Sequence, residues 1–141
     1  MNKKILIVLA NYYKNISDGL LKSALKNIPK SNHVKIIRVP GVFEIPITIS
    51  KNLKKFDAFL ALGCVIKGQT PHFDFISQAS TNALMDISVS QKKPIGNAII
   101  TCLNMKQAKA RKSKGAEAAN AVFSVLSQKW RLTLSLKIIL E

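Results

Sequence analysis

One stretch of five residues gathers most of the groups able to do chemistry: Gly68-Gln69-Thr70-Pro71-His72. Thr70 suits the N-cap of a helix and Pro71 its first helical position. Free amides at a glycine-containing loop and a helix N-terminus make an anion site, and Lys67 adds charge nearby. An ordinary capped helix would use the same residues, and the spacing is not that of a nucleotide-binding P-loop. His72 then falls in the first helical turn, where the positive end of the helix dipole favours a neutral imidazole fit to shuttle protons. A surface histidine beside a cap has the same spelling. His33 stands in a polar connection and carries no such expectation.

Three further groups add to this. Val39-Pro40-Gly41-Val42-Phe43-Glu44 is a tight turn bringing an aromatic face and a carboxylate together, a set that stacks on and hydrogen-bonds a flat polar heterocycle. Tyr12 offers a second aromatic face, although both rings would also serve as ordinary core. Arg111 is the one arginine of the lysine-rich stretch Met105–Lys114, and a guanidinium forks onto phosphate oxygens better than an ammonium does. Lys114, just before the helix start expected at Gly115, is a second cation placed to face an anion, although a solvated basic face explains most of these lysines. Cys64 and Cys102 are too few and too far apart for a disulfide framework or a zinc site, and are expected to be buried.

These groups need elements to hold them. Ile5–Ala10 is a short apolar run that reads as a buried strand, Phe56–Ile66 reads as another apolar strand, and Val34–Val39 and Ile95–Thr101 read as two more strands. Between and after them, Ile16–Ile28, Phe43–Leu53, His72–Val89, Met105–Lys112 and Gly115–Gln128 have helical spacing. Such alternation predicts an α/β fold, with helices on both faces of a parallel sheet. Ligands in open sheets of this kind bind at the carboxyl ends of the strands. The four segments expected there are Asn11-Tyr12-Tyr13, Pro40–Glu44, Lys67–His72 and Thr101–Asn104, and nearly every unusual residue lies in them.

Composition narrows the class. The 141 residues are 48% hydrophobic, enough for one sizeable core. No apolar run approaches the ~18 residues of a membrane-spanning helix. Ile5–Ala10 is too short for a signal peptide and lacks a cleavage site after it, so a cytoplasmic protein is expected. The net charge of +15 favours anionic partners, yet only three of its 22 cations are arginine and the aromatics do not interleave with lysines. Nucleic acid is therefore not the expected partner.

Together, VPGVFEIP (39–46), ALGCVIKGQTPHFDFIS (61–77), GNAIITCLN (96–104) and QAKARKSKGAEAANA (107–121) resemble the 6,7-dimethyl-8-ribityllumazine synthase family of riboflavin biosynthesis. The resemblance spans about residues 3 to 128, in order. Its specific parts are PG-x-FE-x-P and a G-x-x-x-x-G-x-x-x-H-F pattern. It implies a flavodoxin-like three-layer sandwich around a central four-stranded parallel sheet. It also implies a transferase that joins 5-amino-6-(D-ribitylamino)uracil to 3,4-dihydroxy-2-butanone 4-phosphate and releases phosphate, with neither metal nor organic cofactor. By the same resemblance, Tyr12 lies on the pyrimidine ring, and Val42, Phe43 and Glu44 bind the ribityl chain and ring. Cys64, Val65 and Ile66 read the pyrimidine, Gln69 and Thr70 bind phosphate, and His72 is the general acid/base. Asn97 and Arg111 come from a neighbouring subunit, which implies a homo-oligomer built from pentamers.

Several positions depart from the family pattern. Asn97 stands where phenylalanine is frequent and Leu103 where glutamate is common, and the loop from Arg111 to Gly115 is short. The first core strand begins almost at Met1. Residues 1–128 make one domain, and 129–141 form an atypical tail in which Trp130 to Ile138 alternates apolar and polar like a strand. Three other readings stay open: a riboflavin synthase of archaeal type, a basic polyanion- or RNA-binding module, and a shell protein without activity.

Overall fold

The computed structural model describes residues 2–128. In chain order the elements are β1 (Lys4–Ala10), α1 (Lys14–Lys26), β2 (His33–Val39), a 3-10 turn (Val42–Glu44), α2 (Ile45–Lys51), β3 (Ala58–Ile66), α3 (His72–Gln91), β4 (Ile95–Cys102), α4 (Met105–Ala110) and α5 (Lys114–Leu126). The four strands form one parallel sheet in the order β2-β1-β3-β4, the flavodoxin-like arrangement. Ile5 lies between Val34 and Ala58, and Cys64 opposite Ile100.

The order follows from the handedness of parallel crossovers. The sheet grows one way from β1 to β2 and the other way from β2 to β3 and β4, so right-handed connections put their helices on opposite faces. Two cores result. Ile5, Ile7, Leu9, Leu60 and Leu62 pack with Ile16, Leu20 and Val122 of α1 and α5. Leu6, Val8, Phe59 and Ala61 pack with Ile45, Ile49 and Leu84 of α2 and α3. The central strands are covered on both faces, which is why they are apolar without alternation. Each fully buried Leu or Ile contributes roughly 1.5–3 kcal/mol.

Three local expectations are corrected. Phe43–Leu53 is not one helix: the 3-10 turn comes first and α2 ends at Lys51, because the chain must turn sharply off β2 before Pro46 can enter a regular helix. Thr70 is not the N-cap of α3 and makes no capping hydrogen bond. Pro71 takes that position, its carbonyl accepting from the amides of Asp74 (3.1 Å) and Phe75 (3.2 Å). Lys114 is the first residue of α5 rather than its forerunner, and its Nζ lies 3.2 Å from Glu117. The tail 129–141 lies outside the described residues. Among those described, no helix is long and apolar enough to cross a membrane.

Candidate active site

A cleft of about 530 Å³ opens at the carboxyl ends of the central strands, where the direction of sheet growth reverses. Tyr12 and Tyr13 follow β1, Gly41, Val42 and Phe43 follow β2, and Cys64, Val65 and Ile66 end β3. Gly68 and Thr70 come from the next loop, and His72, Phe73 and Ile76 from the first turns of α3. Three of the four expected segments thus converge on one cavity. The fourth, Thr101–Asn104, does not line it.

Local chemistry explains how each wall is held. Gly63 lies in β3 beneath the turn after β2, where an added Cβ would stand 2.9 Å from Val42 Cγ2 and 3.1 Å from Ala10 Cβ. The missing side chain lets the turn settle onto the sheet. Glu44 closes that turn, its Oε1 accepting from the Gly41 amide at 3.0 Å. The carboxylate expected to meet a ligand is therefore partly engaged by its own backbone, and Glu44 does not line the cleft. Phe43, by contrast, is 71% exposed and Tyr12 76%, so both present rings to the opening. Tyr12 stands edge-on to Tyr13, with ring centroids 4.9 Å apart.

Electrostatics keep two groups of the cleft in their neutral forms. Burial, followed by the Cys102 thiol on the adjacent strand, pushes the Cys64 thiol up to about 12. Cys64 is therefore a neutral wall of the site. The Tyr13 phenol is also raised, first by burial and then by Tyr12 and Cys64. His72 is exposed at the mouth of the cleft, free to meet a ligand. Among the described residues, no group of three His, Cys, Asp or Glu side chains is placed to hold a metal ion.

Gln69, Asn97 and Arg111 do not line this cleft. Asn97 is exposed toward the amino end of edge strand β4, its Oδ1 accepting from the Ile99 amide at 2.9 Å. Arg111 is exposed at the end of α4, on a turn held from the α1 side. There Ser23 Oγ donates to the Lys112 carbonyl (2.7 Å) and accepts from the Ala116 amide (3.1 Å). Phe73 and Ile76 complete the cleft without having been expected there. Their signal was helical spacing from His72, since positions 72, 73 and 76 share a face.

A family model described as 6,7-dimethyl-8-ribityllumazine synthase matches residues 2–129. A 6,7-dimethyl-8-ribityllumazine synthase of Bartonella bacilliformis is 43% identical, the match covering 93% of each chain. The protein of that name from Agrobacterium fabrum is 40% identical over 91% of this chain and 95% of its own. 6,7-Dimethyl-8-ribityllumazine synthase 1 of Rhodopseudomonas palustris is 39% identical over 92% and 87%. Neither a riboflavin synthase nor a polyanion-binding reading is favoured by these matches. Fold, cleft and relatives agree, and the chain belongs to the 6,7-dimethyl-8-ribityllumazine synthase family, transferases of riboflavin biosynthesis.

Proposed function

We propose that the cleft joins 5-amino-6-(D-ribitylamino)uracil to 3,4-dihydroxy-2-butanone 4-phosphate. The observation that carries this reading is the meeting of three strand-end segments, two aromatic faces and one histidine on a single cavity. Tyr12 and Phe43 flank the flat pyrimidine, with Val42 and the backbone of Cys64–Ile66 orienting it, and Glu44, beside Phe43 but outside the cleft lining, reaches the ribityl chain only with the carboxylate oxygen not engaged by Gly41. The substrate amine attacks the ketone and expels water as the imine forms. Phosphate then leaves, and the ring closes with loss of a second water. His72 moves the protons of these steps. The sequence is condensation and elimination with no net redox change, so neither a metal nor an organic cofactor is assigned.

Thr70 and Gln69 hold the phosphate from the subunit's own loop, and Arg111 reaches it from a neighbour. The placement of Arg111 and Asn97 outside their own cleft supports this sharing. A homo-oligomer built from pentamers is also supported by apolar side chains left exposed along α3: Phe75, Met85 and Val89. We assign residues 1–128 to one catalytic domain in the cytoplasm.

The test mixes the purified protein with both substrates and follows the lumazine chromophore and inorganic phosphate together. One phosphate per chromophore, unaffected by a chelator, is expected. Phosphate release without chromophore, or loss of product on chelation, overturns the reading.

A further inference from the structure

We infer that Arg38 is a positioning residue that fixes the Tyr12 wall of the cleft without touching substrate. This rests on the proposed role of Tyr12 against the pyrimidine. Arg38 is one of only three arginines in the chain, and the reaction as described leaves it unused. It stands near the end of β2, beside Leu9 of β1. Its NH1 donates to Asn11 Oδ1 and to Asp18 Oδ1, each at 3.0 Å. Asp18 in turn accepts from Lys14 Nζ at 2.6 Å. One guanidinium thereby ties β2, the loop after β1 and the second turn of α1.

The tied residue, Asn11, directly precedes Tyr12. The rest of that loop is pinned as well. The Asn11 amide donates to the Val39 carbonyl at 2.9 Å, the buried Ser17 hydroxyl donates to the Ala10 carbonyl, and the Tyr13 carbonyl accepts from the amides of Ile16 and Ser17. Tyr12 itself makes no hydrogen bond among these, and its exposed ring packs edge-on against Tyr13 alone of its loop neighbours. Its direction is set by its neighbours, and among the described residues Arg38 is the only side chain from outside the β1–α1 unit that hydrogen-bonds to them. Hydrogen bonds from Lys14 and then from Arg38 keep the Asp18 carboxyl below the usual carboxylate range, so the anchor is ionised at neutral pH.

The test uses the full-length enzyme and the variants Arg38→Ala, Arg38→Lys, Tyr12→Ala and the double variant Arg38→Ala/Tyr12→Ala. Arg38→Ala is expected to raise KM for the pyrimidine about fivefold, the scale of one charge-assisted hydrogen bond at an exposed site. KM for the phosphorylated substrate and kcat should stay within about twofold. Arg38→Lys should recover part of the loss. In the Tyr12→Ala background, Arg38→Ala should add nothing, because its effect passes through Tyr12. A rise in KM for the phosphorylated substrate, or full additivity with Tyr12→Ala, overturns the inference. Amide hydrogen exchange across residues 10–15 gives a readout independent of turnover: it should quicken in Arg38→Ala, and unchanged exchange also overturns the inference. A wild-type enzyme that forms no lumazine overturns the functional reading instead, while the exchange measurement still decides the role of Arg38.

Discussion

At His72 the expected loss is one of turnover. His72→Ala should lower kcat by ~10²–10⁴-fold, the usual range for general acid–base catalysis, and leave substrate affinity little changed. The low end is expected, because imine formation proceeds partly unaided; steady-state kinetics with both substrates decide, and an unchanged kcat removes His72 from the mechanism. Arg111→Lys keeps the charge and loses the fork, so KM for the phosphorylated substrate should rise roughly tenfold while that of the pyrimidine holds. Equal weakening of both substrates would mean that Arg111 has a general structural role. Cys64 should resist alkylation by iodoacetamide at pH 8 in the folded enzyme, because its thiol, raised to about 12, stays protonated there. The same shift has a sign for stability: a thiol raised in the folded state favours folding below its ordinary value, and that contribution fades as pH climbs from about 9 toward 12. His72 was readable as a candidate from its helix-start context alone. Glu44 was readable as a carboxylate at the site, but the bond from its Oε1 to the Gly41 amide is a matter of turn geometry that residue types do not disclose.

Among the elements, the contact of α5 with α1 is the tightest to test. A Cβ on Gly115 would stand 2.0 Å from the Leu20 carbonyl oxygen and 2.5 Å from Ser23 Oγ. Backbone cannot swing aside as a side chain does, so Gly115→Ala should destabilise by about 1–3 kcal/mol despite its better helix propensity. Urea unfolding measures this, with Gly68→Ala as a control, since nothing lies within 4 Å of an added Cβ there. The Arg111 turn shares Ser23 with this contact, so KM for the phosphorylated substrate should rise in the same variant. The Arg38–Asp18–Lys14 network predicts an acid-side effect. The Asp18 carboxyl is lowered in the fold, so its contribution is present above the usual carboxylate range and is lost as pH falls below about 4. Asp18→Asn should flatten that part of the stability curve, by a small amount because the pair is exposed. Strands β1 and β3 were legible because double-sided burial leaves unbroken apolar runs, whereas β2 at the sheet edge is largely exposed and β4 alternates buried and exposed residues. The split of Phe43–Leu53 was not, because a 3-10 turn and an α-helix place apolar residues at nearly the same spacing.

For the molecule as a whole, the shared-site reading makes a count. In a closed ring of identical head-to-tail contacts, each site draws on two chains. When His72→Ala and Arg111→Ala chains are unfolded and refolded together in equal amounts, about a quarter of interfaces should pair both intact residues. Activity should return to roughly that fraction of wild type, and simple mixing should return none. Hybrids seen by native mass spectrometry that remain inactive would refute sharing. Part of the net charge lies away from the site, although Lys67 adjoins it. Lys3, Lys4, Lys30, Lys54, Lys55 and Lys92 stand at the amino ends of the strands, opposite the cleft, and every ion pair among the described residues lies elsewhere.

What the sequence determined by itself was the order of strands and helices, the end of the sheet where the cleft opens, and the residues worth watching. Each depends on near-neighbour patterns: apolar runs, helical spacing, and turn residues at the close of a strand. Tertiary structure decided which of those residues share a cavity. Tyr12, Phe43, Cys64 and His72 are far apart in the chain and meet only because the sheet reverses its growth beside β1. Asn97 and Arg111 are also polar and exposed, yet they fall outside that cavity: Asn97 is the third residue of β4, toward the amino end of the strand, and Arg111 lies past the end of α4. The hydrogen bond from Arg38 to Asn11, across 27 positions of chain, is likewise set by strand register, which places Arg38 beside Leu9 and which no shorter-range pattern encodes.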